Sequence, residues 1–338
     1  MPSPPVLFLH PSSFAHDTGG HPERAERIAA IMAELEPRGW LGYEPRESPA
    51  VAREVLELVH PARYVDAIER ISLAGGAQLD ADTLMSRGSF DAALHGVGGA
   101  VTMVTWLLEG RARAGFSAHR PPGHHALPDR AMGFCLFNSI AVAAAWAVHG
   151  LGLERVLILD YDVHHGNGTN DAFIDSPEVL FVSIHQSPLY PGTGPASEVG
   201  TGPGRGYTVN LPVPPGTGDD AYVSLVAHVV APLARLYRPR LVLVSAGFDA
   251  HRDDPLASCE VTEDGFARIA ALVRELGAEL AVPVGCVLEG GYNLQALARS
   301  VAATREALVG DEPAPEPEFG PLAEAARARV AASWPDLG

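Results

Sequence analysis

The segment LILDYDVHHGNGTN at 157–170 sets Asp160, Asp162 and His164 two residues apart, directly after a run of apolar strand-forming residues. Side chains of an extended chain alternate faces, so residues at spacing two project to one side. A carboxylate and an imidazole side by side at a strand's end make two-thirds of a metal site; taken alone, they also suit a loop of capping aspartates and solvated histidines. A second cluster, HRPPGHHALPDRAMGFCLFN at 119–138, carries His124 and His125 after a Pro-Pro-Gly turn. Imidazole titrates near neutrality, so the pair suits acid/base work better than a core, the other reading being an idle surface pair. In VLVSAGFDAHRDDP at 242–255, Asp249 follows a buried-strand pattern and is either a further ligand or a turn or cap residue. In VLEGGYN at 287–293 two glycines free the backbone and present Tyr292, which alone reads only as a turn. All four clusters follow strand patterns, and jointly they supply the parts of a hydrolase.

The elements that must position them alternate between two types. Nearly continuous apolar runs predict strands at 6–9, 115–118, 155–160, 179–184, 206–211, 240–246 and 283–291. Helical patterns at 23–36, 89–109, 137–149, 219–237, 262–277 and 293–308 lie between them. Alternation of this kind predicts an α/β fold with a mostly parallel sheet covered on both faces, whose ligands bind at the strands' carboxyl ends. No repeat or Ser/Gly linker divides the chain, so 1–338 reads as one domain, with 311–338 a connector (DEPAPEP at 311–317) and a last helix near 321–332. The Gly- and Pro-rich stretch 188–218 is long for a connection and lies beside the motifs, which marks it as functional.

Composition narrows the partners. A formal net charge of -17 disfavours nucleic acid and suits a cationic substrate. Cys135, Cys259 and Cys286 form no CxxC pair, which argues against a disulfide framework or a cysteine zinc site and for a reducing cytoplasm. The N-terminal MPSPPVLFLHPSSF carries no basic leader and only a short apolar run, so neither a secretory signal nor a membrane partner is expected.

From HPERAERI at 21–28 to VLEGGYN at 287–293, with RPPGHHA, DVHHGNGT, PGTG and GFDAH between, the chain resembles the histone deacetylase superfamily, on the class II-like side that includes bacterial deacetylase-like and acetylpolyamine amidohydrolases. The resemblance implies an arginase/deacetylase fold with a sheet of about eight strands, and one zinc ion on Asp162, His164 and Asp249. It pairs Asp160 with His124 and Asn167 with His125, the Asn being typical of the class II-like side. It also makes Tyr292 the oxyanion donor, on a Gly-Gly hinge that lets it swing. Phe134 and Tyr190 match the aromatic walls of an acyl-lysine tunnel, with ordinary packing as the plain reading; Gly133 accompanies Phe134, and Asp82 falls where relatives place a carboxylate that holds the substrate backbone. Structural potassium is implied at Asp160, Asp162, His164, Ser183 and Ile184, and again around Phe173, Ser176, Val179 and Tyr207.

Where acetylpolyamine-specific relatives carry a Glu gatekeeper this chain has Leu256, which favours an acetyl-lysine-like acyl amide over the polyamine alternative. An arginase-type ureohydrolase needs two manganese ions and further aspartates, and here His251 stands where another carboxylate is wanted. The remaining alternative is a silent binding protein that keeps the fold. Relatives occur as monomers, dimers and tetramers, so the resemblance leaves a homo-oligomer open.

Overall fold

The computed structural model describes residues 3–314 and 316–337. Among the described residues ten strands form: β1 (Val6–Leu9), β2 (Glu44–Glu47), β3 (Gly76–Gln78), β4 (Leu84–Ser86), β5 (Gly115–Ser117), β6 (Val156–Asp160), β7 (Val179–Gln186), β8 (Thr208–Val213), β9 (Leu241–Ala246) and β10 (Val284–Leu288). Eight of them build one sheet in the order β2-β1-β5-β10-β9-β6-β7-β8, and every pairing in it is parallel. β3 and β4 make a separate antiparallel hairpin.

Burial on both faces explains the apolar strand sequences. Leu157 and Leu159 of β6 join Val242 and Val244 of β9 in one core cluster, while Val156 and Ile158 join Leu241 and Leu243 in the opposite one. A strand of alternating polarity cannot satisfy two apolar layers, whereas these runs do. Helices Ser89–Leu108, Ser139–Ala145, Glu263–Leu280 and Leu294–Val309 lie near their expected positions. The expected 219–237 helix is continuous, with a π turn at Val226–Val230.

Several boundaries differ from the sequence expectation. β8 runs from Thr208 rather than 206, because Gly206 takes a left-handed φ of 94° that a strand does not adopt. β10 ends at Leu288 rather than 291, as Gly291 at φ 117° turns the chain away. The first helix starts at Glu26 rather than 23. The last helix, Pro321–Val330, buries Ala323 and Ala326 beside the edge strand β8, with the Trp334 indole donating to the Gly206 carbonyl at 2.8 Å. The connector expected at 311–317 contains Pro315, which lies outside the described residues. Among the described residues no helix is long and apolar enough to cross a membrane.

Candidate active site and metal centre

β5, β10, β9 and β6 are neighbours at the middle of the sheet, and because all are parallel their carboxyl ends share one edge. The loops leaving these ends carry His124 and His125, then Tyr292, Asp249, and the Asp160–His164 run. The histidine loop is fixed from below: the Gly168 and Thr169 N–H groups, opening the Asn167–Ala172 helix, both donate to the His124 carbonyl, at 2.9 and 3.2 Å. Asn138 caps the next helix by accepting from the Ala141 N–H at 3.0 Å and donates to Thr169 Oγ1 at 3.1 Å.

Asp162, His164 and Asp249 converge. One ligand atom from each lies within 4.8 Å of the others, and among the described residues theirs is the one group of three or more His, Cys, Asp or Glu so arranged. His164 Nδ1 stands 3.0 Å from Asp249 Oδ2 and 3.2 Å from Asp162 Oδ1. The second oxygen of each carboxylate is oriented by backbone, Asp249 Oδ1 accepting from the Val163 N–H at 2.9 Å and Asp162 Oδ2 from the Gly290 N–H at 2.8 Å. Burial opposes charge on His164, yet Asp249 and Asp162 outweigh it and push the imidazole up to about 10. A buried pocket that holds a proton so firmly is one that wants a cation. Two carboxylates and one imidazole match the donor set of a divalent ion with an open position.

The paired histidines are differentiated. His124 Nδ1 lies 3.1 Å from Asp160 Oδ2, and burial, which works against charge, is overcome by Asp162 and Asp160, so its proton affinity rises well above the ordinary value. His125 Nδ1 lies 2.7 Å from Asn167 Oδ1; burial and the His124 and His164 imidazoles hold it well below. A neutral imidazole therefore sits beside a charged one, their rings 4.0 Å apart.

Tyr292 is buried, its ring edge-on to Phe134 at 5.6 Å and 4.9 Å from the Arg27 guanidinium. Burial raises its hydroxyl well above the ordinary range, so it remains a donor. Where a Gly-Gly hinge is expected, each residue of this loop is fastened by a hydrogen bond in this structure. The Gly290 N–H is held by Asp162, the Gly291 carbonyl by Arg27 Nε at 2.7 Å, and the Tyr292 N–H by Asp254 Oδ2 at 2.7 Å. Gly290 serves close approach instead: a Cβ there would lie 2.1 Å from Asp249 Oδ2 and 2.6 Å from Asp162 Oδ2. Gly290→Ala is accordingly expected to lower metal content and turnover together while helical content stays, measured by metal analysis and circular dichroism; full metal occupancy in the variant would contradict it.

The remaining expected residues fall around this centre. Gly133 has φ +56°, and a Cβ would meet the His125 ring at 2.4 Å, so glycine is required there on both counts. Phe134 keeps a left-handed φ of 69°, held by its N–H on Thr83 Oγ1 at 3.1 Å and by His21 edge-on at 4.5 Å. Strain of this kind survives only where the surroundings over-determine it. Tyr190, 38% exposed, stands edge-on to His125 at 5.3 Å, which places it at the rim. Asp82 lies in the turn between β3 and β4, near enough that, after burial, its charge is the main cause raising the Tyr190 hydroxyl. Leu256 is half-buried, its N–H on Asp254 Oδ1 at 3.0 Å, so one carboxylate joins it to Tyr292. Of the expected potassium positions, Asp160 and Ser183 are paired across β6 and β7 with Ile184 next in line, and Phe173, Ser176 and Val179 line one surface pocket. The carbonyls of Phe173 and Tyr207 each already accept a backbone N–H, from Ser176 and Phe181.

Sequence reasoning passed over five buried charges beside the site: Glu23, Arg27, Arg120, Asp254 and Glu289. Asp254 is pushed up to about 7 by burial and by Asp249. Burial likewise pushes Glu289 up to about 7, with Asp160 adding to it and His124 opposing. Only Glu289 left a readable signal, a charge directly abutting a wholly apolar strand.

Comparison with known proteins places the chain among its relatives. A family profile described as "Histone deacetylase domain" matches residues 21–308. "Histone deacetylase 10, chloroplastic" of Oryza sativa subsp. japonica is 40% identical over 326 residues, spanning 90% of this chain and 73% of that protein. A "Probable deacetylase" of Methanothermobacter thermautotrophicus is 40% identical over 315 residues, spanning 92% of each. The "Histone deacetylase-like amidohydrolase" of Pseudomonas aeruginosa is 40% identical over 281 residues, spanning 81% of this chain and 73% of that one. Among solved structures, "Crystal Structure of HDA15 HD domain" superposes with a TM-score of 0.93 at 36% identity, covering 100% of this chain and 97% of that chain.

Proposed function

The chain belongs to the histone deacetylase family, and from that premise we propose that it is a zinc-dependent deacetylase cleaving a linear acyl amide, N-ε-acetyl-lysine or a similar acylated amine. The observation that carries the reading is the convergence of Asp162, His164 and Asp249 beside the His124–His125 pair. A zinc ion held by those three residues would supply Lewis acidity towards water and the amide carbonyl.

The chain's own groups do the rest. His125, neutral and oriented by Asn167, takes a proton from the attacking water through its free Nε2. Tyr292 donates its hydroxyl to the carbonyl oxygen as negative charge develops there. His124, held charged by Asp160, stabilises that charge, and the protonated pair returns a proton to the leaving amine. Phe134 and Tyr190 shape the approach and exclude water from a slender acyl chain. Potassium held at Asp160, Asp162, His164, Ser183 and Ile184, and around Phe173, Ser176, Val179 and Tyr207, would be the structural ion of this reading.

Leu256 beside the Tyr292 loop offers no counter-charge to an internal ammonium, which supports a lysine-like over a polyamine substrate. A two-metal ureohydrolase is disfavoured, since His251 lies 3.3 Å from Glu263 Oε2. Three free, buried cysteines and the acidic surface support a cytoplasmic protein without nucleic-acid or membrane partners. The test is metal analysis of the purified protein joined to a turnover panel of acetyl-lysine peptide, acetylputrescine and acetylspermidine. One zinc per chain with preferred cleavage of the peptide is expected; faster cleavage of the polyamines, two manganese ions, or no turnover at all would each replace the reading.

A further inference from the structure

Glu289 is wholly buried at the end of β10, one residue before the Gly290–Tyr292 loop, and its two oxygens are treated unequally. Oε2 accepts from the Gly123 N–H at 2.6 Å and the His124 N–H at 3.0 Å, whereas Oε1 has no partner. Burying a carboxylate with one oxygen unsatisfied is costly, and an apolar residue there would avoid the cost. What the side chain accomplishes is mechanical: it ties the backbone that carries the histidine pair to the backbone that carries Tyr292. Its own main chain is fixed as well, the N–H donating to the Ala246 carbonyl at 3.0 Å and the carbonyl accepting from Arg27 Nη2 at 2.5 Å.

We propose that Glu289 is a positioning residue for the reaction, its Oε2 clamping the Gly123–His124 backbone so that His125 and Tyr292 face one substrate carbonyl from fixed sides. The proposal rests on the reading of His125 and Tyr292 given above. It makes the location of the acceptor oxygen the quantity the test reads, since Oε2 makes both contacts to the histidine loop. Gln keeps an oxygen in place; Asp keeps the charge but draws the oxygen back by one methylene.

Glu289→Gln and Glu289→Asp separate the two. Glu289→Gln is expected to hold kcat within about threefold, while Glu289→Asp loses about 10- to 100-fold in kcat, as misplacement of about 1 Å does elsewhere, with KM and metal content unchanged. Hydrogen exchange at the Gly123 and His124 amides reads the clamp without turnover and should quicken in Glu289→Asp but stay slow in Glu289→Gln. Unchanged exchange and kcat in the Asp variant, or a Gln variant as impaired as the Asp one, would overturn the proposal. If Glu289→Asp does not fold, the Gln variant decides, fast exchange or a kcat loss beyond tenfold counting against the clamp. A wild-type protein inert towards acyl amides would instead overturn the functional reading, and exchange would still judge the clamp.

Discussion

Tyr292→Phe is expected to lower kcat by about 100- to 1,000-fold, or about 2.7–4 kcal/mol of transition-state stabilisation, the range for loss of one preorganised donor to a developing oxyanion. The fold and metal content should not change, because the ring's contacts do not involve the hydroxyl. Phe keeps the edge-on packing against Phe134 at 5.6 Å and the face that meets the Arg27 guanidinium at 4.9 Å. The backbone position is kept too, being set by Asp254, Arg27 and Asp162. KM should shift by much less than kcat, since a carbonyl gains most of its demand for a donor only as charge builds on its oxygen. Steady-state kinetics on an acetyl-lysine peptide with parallel metal analysis checks this; near-normal kcat would remove Tyr292 from the chemistry.

The groups that touch substrate in this scheme were the most legible part of the sequence, for a physical reason. Residue type at spacing two after an apolar strand marked Asp162 and His164 as part of a metal site, and the resemblance supplied Asp249 and the roles of the histidines and Tyr292. The buried strands were equally plain, since two apolar faces write one continuous run. β2 was not: its EPRE sequence sits at the sheet's edge with one neighbour and a largely exposed surface, so nothing apolar is required of it. The helix Ala62–Leu73 buries Tyr64, Val65, Ile68 and Ser72 at helical spacing, but intervening charges dilute the pattern. The supporting charges were least legible. Glu23 and Arg27 fall in the helical pattern expected at 23–36 with nothing to mark them out, and only the folded chain shows both with no exposed surface.

That burial makes Glu23 the site of the second large effect. Its carboxylate meets Arg120 as a fork, at 2.7 Å to Nε and 2.8 Å to Nη2, with Arg27 Nη1 at 3.2 Å and His16 Nε2 at 3.3 Å. Two guanidinium groups thus share one anion out of reach of water. Glu23→Gln keeps the shape but removes the charge and turns an amide donor towards donors, and breaking a buried pair from one side costs about 3–5 kcal/mol. Burial alone would raise the Glu23 carboxyl; Arg120, with His16, outweighs it and holds the group well below the ordinary carboxylate range. A carboxyl depressed in the folded state contributes stability that is complete above its unfolded value, about 4.3, and is lost as pH falls below it towards the folded value. Chemical denaturation should therefore show the full deficit of Glu23→Gln from pH 6 to pH 8 and a shrinking one below about pH 4. A gap under about 1 kcal/mol at pH 7, or one that widens in acid, would sink the argument. Because Arg27 also carries the Gly291 and Glu289 carbonyls, the same variant should lose kcat even at temperatures where it stays folded.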